Sequence, residues 1–190
     1  YSYLNERSEM IANGTCTLIK GGKYNVVVDT LTPWDRDELI RLLANHDLSP
    51  DQIDYVVCTH GHSDHVGNNN LFTNAKFHIV GFGVSRKDVY YLHPFENGTP
   101  FAIDGSELEV IPTPGHTLDS VSVKVRTRSG HTIVITGDLF EKEGDLRDPT
   151  LWKDAGSDSV EKQEENRKMI LKMADYIVPG HGPMFKVPDD

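Results

Sequence analysis

Within the stretch CTHGHSDHVG, three histidines and an aspartate fall at His60, His62, Asp64 and His65. Imidazoles and carboxylates this close together crowd one another in an ordinary loop, so the pattern reads as a set of metal ligands. In an extended segment residues i and i+2 point the same way, so His60 and His62 can face one cation. Asp64 and His65 follow the turn, at the start of an expected short helix, and face a neighbouring position. Three further candidates, His116, Asp138 and His181, each lie in a Gly-bearing loop after a β-rich run. The arrangement this suggests has one cation on His60, His62 and His116 and a second on Asp64, His65 and His181. Asp138, with two carboxylate oxygens, would bridge them. Each cation would keep a position open for water or substrate, as catalytic metal sites do. A shared hydroxide would be the nucleophile, with Asp64 orienting it, and the cations would polarise a scissile carbonyl or phosphoryl oxygen. No Ser–His or Cys–His pair is required.

These residues need elements to hold them. CTLIKGGKYNVVVDT reads as two strands joined at Gly21-Gly22 and ending at Asp29. TPWDRDELIRLLANHDL opens with Thr32 as N-cap, Pro33 at the first helical position and Asp35 three residues after the cap, and then carries an apolar face. IDYVVCTH is a buried strand delivering His60. AKFHIVG is another strand, PFAIDGSELEVIPTPGH a hairpin turning at Asp104-Gly105, and SVSVKVRTRSGHTIVITGD a strand pair ending at Asp138. SVEKQEENRKMILKMAD is helical in pattern, and YIVPGH is a short strand ending at His181. Four strand ends therefore carry a ligand to one rim, which calls for a layered α/β or α+β sandwich.

The chain has 190 residues, 37% of them hydrophobic and 25% charged, which suits one globular domain. No apolar run approaches the ~20 residues of a membrane span, so no membrane insertion is expected. The chain begins at Tyr1 rather than Met, so a longer parent chain is expected and any targeting segment lies outside the sequence. Cys16 and Cys58 sit in strand-like runs and are expected as reduced core residues, which points to an intracellular protein, cytoplasmic or nuclear. Sequons at Asn13 and Asn97 keep a secreted origin open. The net charge of −10 gives no long-range attraction for nucleic acid, although two divalent cations would reduce it locally.

THGHSDHVG, PTPGHT, ITGD and VPGHGP resemble, in order, the successive metal motifs of the metallo-β-lactamase superfamily. Asp29, closing NVVVDT, is similar to that superfamily's early strand-end aspartate, which braces the metal loops. The resemblance implies a four-layer αββα sandwich of the α/β (α+β) class, a single domain over residues 1–190. It also implies a binuclear site, with zinc expected first and iron or manganese as alternatives. An aspartate at position 138, where class B1 and B2 lactamases carry cysteine, points to the hydrolase and nuclease branches. The segment from GDLFEKEGDLRD to VPGHGPMFKV resembles a compact branch implicated in cleaving the 3′ end of histone pre-mRNA, which implies an endoribonuclease acting on RNA phosphodiesters. A glyoxalase II-like hydrolase of thioesters or other small metabolites is the alternative. A metal-buffering protein with little turnover is the alternative of another class, and the complete set of seven ligands speaks against it. A homodimer is compatible with the sequence.

The remaining histidines have plainer roles: His46 ends a helix, His78 lies in a strand and His131 in a turn. His93 sits in a loop that could overhang the site and touch substrate, and Tyr90, Tyr91 and Phe95 there could offer stacking surfaces. Residues 141–165 hold nine acids and four bases and are expected as a solvated loop and helix face. If they border the mouth, they repel a polyanion.

Overall fold

Runs such as VVV, YVVC and YIVP are apolar at every position because each belongs to a sheet covered on both faces. The computed structural model describes residues 1–188. An N-terminal hairpin pairs β1 (Ser2–Leu4) with β2 (Met10–Ala12). A first six-stranded sheet follows in chain order: β3 (Thr17–Ile19), β4 (Val26–Val28), β5 (Tyr55–Cys58), β6 (Phe77–Val80), β7 (Gly83–Arg86) and β8 (Val89–Tyr91). The second comprises β9 (Phe101–Asp104), β10 (Leu108–Pro112), β11 (Val121–Arg126), β12 (Thr132–Gly137), β13 (Tyr176–Pro179) and β14 (Phe185–Lys186), again with chain neighbours adjacent. The helices are α1 (Arg36–Ala44), α2 (Ser63–Val66), α3 (Thr150–Asp154) and α4 (Val160–Met173).

Alternation along the strands builds the layers. Val26, Val28, Tyr55 and Val57 face Val110, Val121, Val123, Ile135 and Val178 in the core between the sheets. The intervening Val27, Val56 and Cys58 pack outward with Leu39 and Leu43 of α1. On the other side, Val134 and Ile177 pack outward with Ile170 of α4. The molecule is the αββα sandwich, four layers deep. The pairings β4–β5, β5–β6 and β12–β13 are parallel and the rest antiparallel. Parallel neighbours send their C-terminal ends to the same side, and this is how the strand-end loops come to share a rim.

Thr32 and Asp35 form the expected capping box, but it caps a short 3-10 turn, Pro33–Asp35, with α1 following directly. Two expectations need correcting. Tyr90 and Tyr91 lie in the edge strand β8 rather than a loop, paired with Val84 and Ser85. The sequence hid this hairpin because Lys87-Asp88 is a weak turn signal and β8 is exposed along its whole length. The acidic run is not wholly solvated either, since Glu141 and Asp145 are buried within it.

Candidate metal centre

Each ligand-bearing loop is fixed by backbone bonds before its side chains meet. Thr59 O accepts from Val121 N at 2.8 Å, which clasps the His60 loop to the second sheet. Gly137 adopts a left-handed φ of 52°, and a Cβ there would lie 2.5 Å from Thr59 Cβ, so glycine alone lets β12 end against that loop. Gly180 N donates to Phe140 O and His181 N to Glu141 O, each at 2.9 Å, so the last loop is zipped to the one after Asp138. From α4, Gln163 Nε2 donates to Asp138 O at 3.0 Å.

The candidate side chains then converge. His60 Nε2 and His116 Nε2 lie 2.9 and 3.1 Å from His62 Nδ1. Tetrahedral Zn–N bonds of roughly 2.0–2.1 Å place ligand nitrogens about 3.3 Å apart, close to these two separations. Asp138 Oδ2 lies 3.3 Å from His116 Nε2 and 3.6 Å from His60 Nε2. The donor atoms of these four residues all fall within 4.8 Å of one another. Asp64, His65 and His181 form a second such group, and Asp138, Glu141 and His181 a third. Asp138 joins the groups: its Oδ1 is 3.2 Å from His65 Nε2 and its Oδ2 is 3.3 Å from His181 Nε2.

The inward-facing nitrogens are set by what the opposite nitrogens touch. His65 Nδ1 lies 2.8 Å from Asp29 Oδ2, His116 Nδ1 2.9 Å from Gly156 O, and His181 Nδ1 3.0 Å from Asn13 O. Each partner accepts a proton from Nδ1, which turns Nε2 toward the centre. Asp29 itself has a left-handed φ of 59°, a conformation aspartate tolerates better than most residues. Its Oδ1 accepts from Thr59 N at 2.7 Å, so one carboxylate braces both the His60 loop and His65.

Two observations test whether the donor set suits a cation. Among the described residues, His65 Nε2 and Asp138 Oδ1 are buried and make no well-directed hydrogen bond, even though they lie 3.2 Å from each other. Orphaned buried donors and acceptors are costly unless something else satisfies them. In addition, burial pushes the pKa of His60 and His116 below the usual value, so both are neutral as imidazole ligands must be. Burial would raise the Asp138 carboxyl, but His65 and His181 outweigh it and keep it ionised. The residues present fit metal ions.

Sequence reasoning did not find Glu141, the acid within the third group; it is 3% exposed. Its only signal was its place three residues beyond Asp138, amid acids that are mostly on the surface. His93 is not drawn into the cluster: Nε2 bonds Thr99 O at 3.1 Å and the ring packs on Phe95. Exposed members of the acidic run do reach the site's border, where Asp158 accepts from Leu118 N at 3.2 Å, two residues beyond His116. Beside that loop, a groove of about 770 Å³ runs between β10 and α4, lined by Phe82, Phe95, Leu118 and Met169 among others. Among the described residues, no helix is long and apolar enough to cross a membrane.

The family profile for the metallo-beta-lactamase superfamily matches residues 12–181. Metallo-beta-lactamase domain-containing protein 1 of Xenopus laevis is 47% identical over 177 residues, covering 93% of this chain and 73% of that protein. The protein of the same name from Homo sapiens is 40% identical over 163 residues, covering 85% of this chain and 59% of its own length. The chain thus spans about three fifths to three quarters of these relatives. Among solved structures, a probable metal-dependent hydrolase from Staphylococcus aureus aligns with a TM-score of 0.68 at 22% identity, covering 92% of this chain and 77% of that one. An N-acyl homoserine lactone hydrolase, with its product at the catalytic metal center, aligns with a TM-score of 0.66 at 18% identity, covering 87% and 80%. These structural likenesses speak to the fold.

Proposed function

The chain belongs to the metallo-beta-lactamase superfamily, and from that premise we propose that it is a hydrolase working with two divalent cations, zinc first and iron or manganese as alternatives. His60, His62 and His116 would hold the first cation and Asp64, His65 and His181 the second, with Asp138 as a ligand available to both. The observation that carries this reading is the convergence of donor atoms around Asp138, two of them buried without a well-directed hydrogen bond. When bound, the cations would supply Lewis acidity and an acidified water.

The chain's own residues do the rest. Asp64, whose side chain is 17% exposed against 5% for Asp138, is the ligand carboxylate facing the solvent side. With metal bound, its carboxylate would orient the attacking water and take up its proton. Asp29, through His65 and Thr59, keeps the imidazoles aimed. His62, the exposed member of the trio, marks where substrate enters.

RNA phosphodiester is the substrate class we put first, on the motif order and on an aspartate at position 138. Cytoplasm or nucleus is the matching location, and two free cysteines suit a reducing compartment. A second reading, a thioester or other small metabolite, is favoured by two observations. The acidic segment at Asp158 borders the His116 loop and repels polyanions, and the neighbouring groove has the volume of a small-molecule site. Purified protein loaded with defined metal, assayed on single-stranded RNA and on S-lactoylglutathione, separates the two. Asp138→Ala and His116→Ala abolish turnover on the true substrate; cleavage that survives both substitutions belongs to a contaminant.

A further inference from the structure

Glu141 is a buried carboxylate that the seven-ligand reading leaves without a task. Its Oε2 lies 3.7 Å from His181 Nε2. Asp64 Oδ2, already assigned to the second cation, lies 3.9 Å from the same nitrogen. Glu141 is therefore as close to that nitrogen as a residue the motif supplies. Its donor oxygen, one from Asp138 and His181 Nε2 all fall within 4.8 Å of one another.

The surroundings hold Glu141 there and give it little else to bind. Its N–H donates to Asp145 Oδ2 at 2.7 Å and its carbonyl accepts from His181 N at 2.9 Å, so its backbone is pinned beside the last loop. Asp145 is fixed in turn by Arg167, whose Nη2 donates to Asp145 O at 3.2 Å and whose guanidinium lies 4.0 Å from the Phe140 ring centre. Besides His181, the side chain meets a long contact from Ser2 Oγ, at 3.5 Å, among the described residues. The nearest base in sequence, Lys142, turns to Ser2 O instead. Among the described residues no Lys or Arg pairs with Glu141. A buried carboxylate without a cation is costly, and carboxylate oxygens are ligands for divalent metals.

We propose that Glu141 is an eighth ligand of the centre, donating to the second position alongside Asp64, Asp138, His65 and His181. This rests on the two-cation reading above and deepens it. The two positions then differ in kind: the first is rich in imidazole, while the second has three carboxylates and two imidazoles. Oxygen-rich sites favour harder cations and higher coordination numbers, so the second position accepts manganese or iron more readily than the first.

The test is a chelator-competition titration of metal-stripped protein with Co²⁺, followed by visible absorption, on wild type, Glu141→Gln, Glu141→Ala and His181→Ala. The expected result is two equivalents for wild type. Both Glu141 variants weaken one equivalent at least about 10-fold, the same one that His181→Ala weakens, and leave the other unchanged. That equivalent's absorption intensifies in Glu141→Gln, as it does when cobalt loses a ligand. Glu141→Gln keeps the shape and neutral hydrogen bonding of a protonated acid. If it binds both equivalents as wild type does, while Glu141→Ala only lowers thermal stability, the carboxyl is structural and the proposal is overturned. If wild type itself takes up no cobalt, the two-cation reading fails first.

Discussion

Gly180 separates Pro179 from His181, and a side chain there would strike the carboxylate on which the centre turns. A Cβ built on Gly180 lies 3.0 Å from Asp138 Cγ, 2.9 Å from Gly137 C, and well inside contact distance of Asp138 Oδ1. Its φ is not in the left-handed region, so the problem is space rather than backbone strain. Gly180→Ala therefore pushes the Asp138 carboxylate aside by roughly 1 Å, and a misplacement of that size near reacting groups costs on the order of 100-fold in rate. Oδ1 leaves its place 3.2 Å from His65 Nε2, and metal affinity falls with it. Overpacking of one methyl costs about 1–3 kcal/mol, or a melting temperature lower by about 2–12 °C in a domain this size. Gly182→Ala is the control in the same loop, because its Cβ meets Pro179 Cγ at 3.4 Å and Lys142 Cβ at 3.6 Å, ordinary contacts. Thermal denaturation, metal titration and turnover on whichever substrate is cleaved would be measured for both variants. Gly180→Ala protein that folds, binds metal with wild-type affinity and turns over at the wild-type rate would refute the claim that Asp138 placement governs the site.

Asp29→Asn keeps the size of the brace but puts an amide N–H opposite His65 Nδ1, forcing the proton onto Nε2, where a ligand must have a lone pair. Metal affinity at the second position should fall about 10–100-fold, and unchanged titration curves would contradict the tautomer argument. Burial lowers the His65 pKa, but Asp29 and Asp138 outweigh it and hold the value well above the usual one, so at neutral pH the ring carries a proton that a ligand cannot keep. Metal loading at pH 7 should thus release protons and weaken as pH falls; calorimetric heats that do not vary with the buffer's ionisation enthalpy would exclude it. Cys58 is fully buried and its thiol is pushed well up by burial, so intact-mass analysis should find it unlabelled by iodoacetamide until the protein unfolds.

The clustering of the candidate ligands was legible because ligation constrains residue type, spacing and loop context together: an i, i+2 histidine pair after a strand admits few other uses. The inner strands were legible for a related reason, since VVV and YVVC are apolar at every position only when both faces are covered. What stayed hidden depends on contacts between distant segments. β8 is an exposed edge strand without apolar alternation, so nothing in VYY separates it from a loop. Glu141 sits in a charged run whose average character is surface-like, and only the zipper between residues 140–141 and 180–181 turns it inward. The brace role of Asp29 was expected, but the left-handed backbone that aims it was not. His93 is held by its own loop, through Thr99 and Phe95, a local satisfaction that sequence spacing does not reveal.

Strand-end loops gather imidazoles and carboxylates into one cluster, and whether that cluster holds metal is directly measurable. Elemental analysis of the purified protein, after metal loading and exhaustive dialysis, tests this most directly. Two divalent cations retained per chain, with marked loss in Asp138→Ala, is the expected result. Wild-type protein that holds no transition metal and takes none up would contradict it.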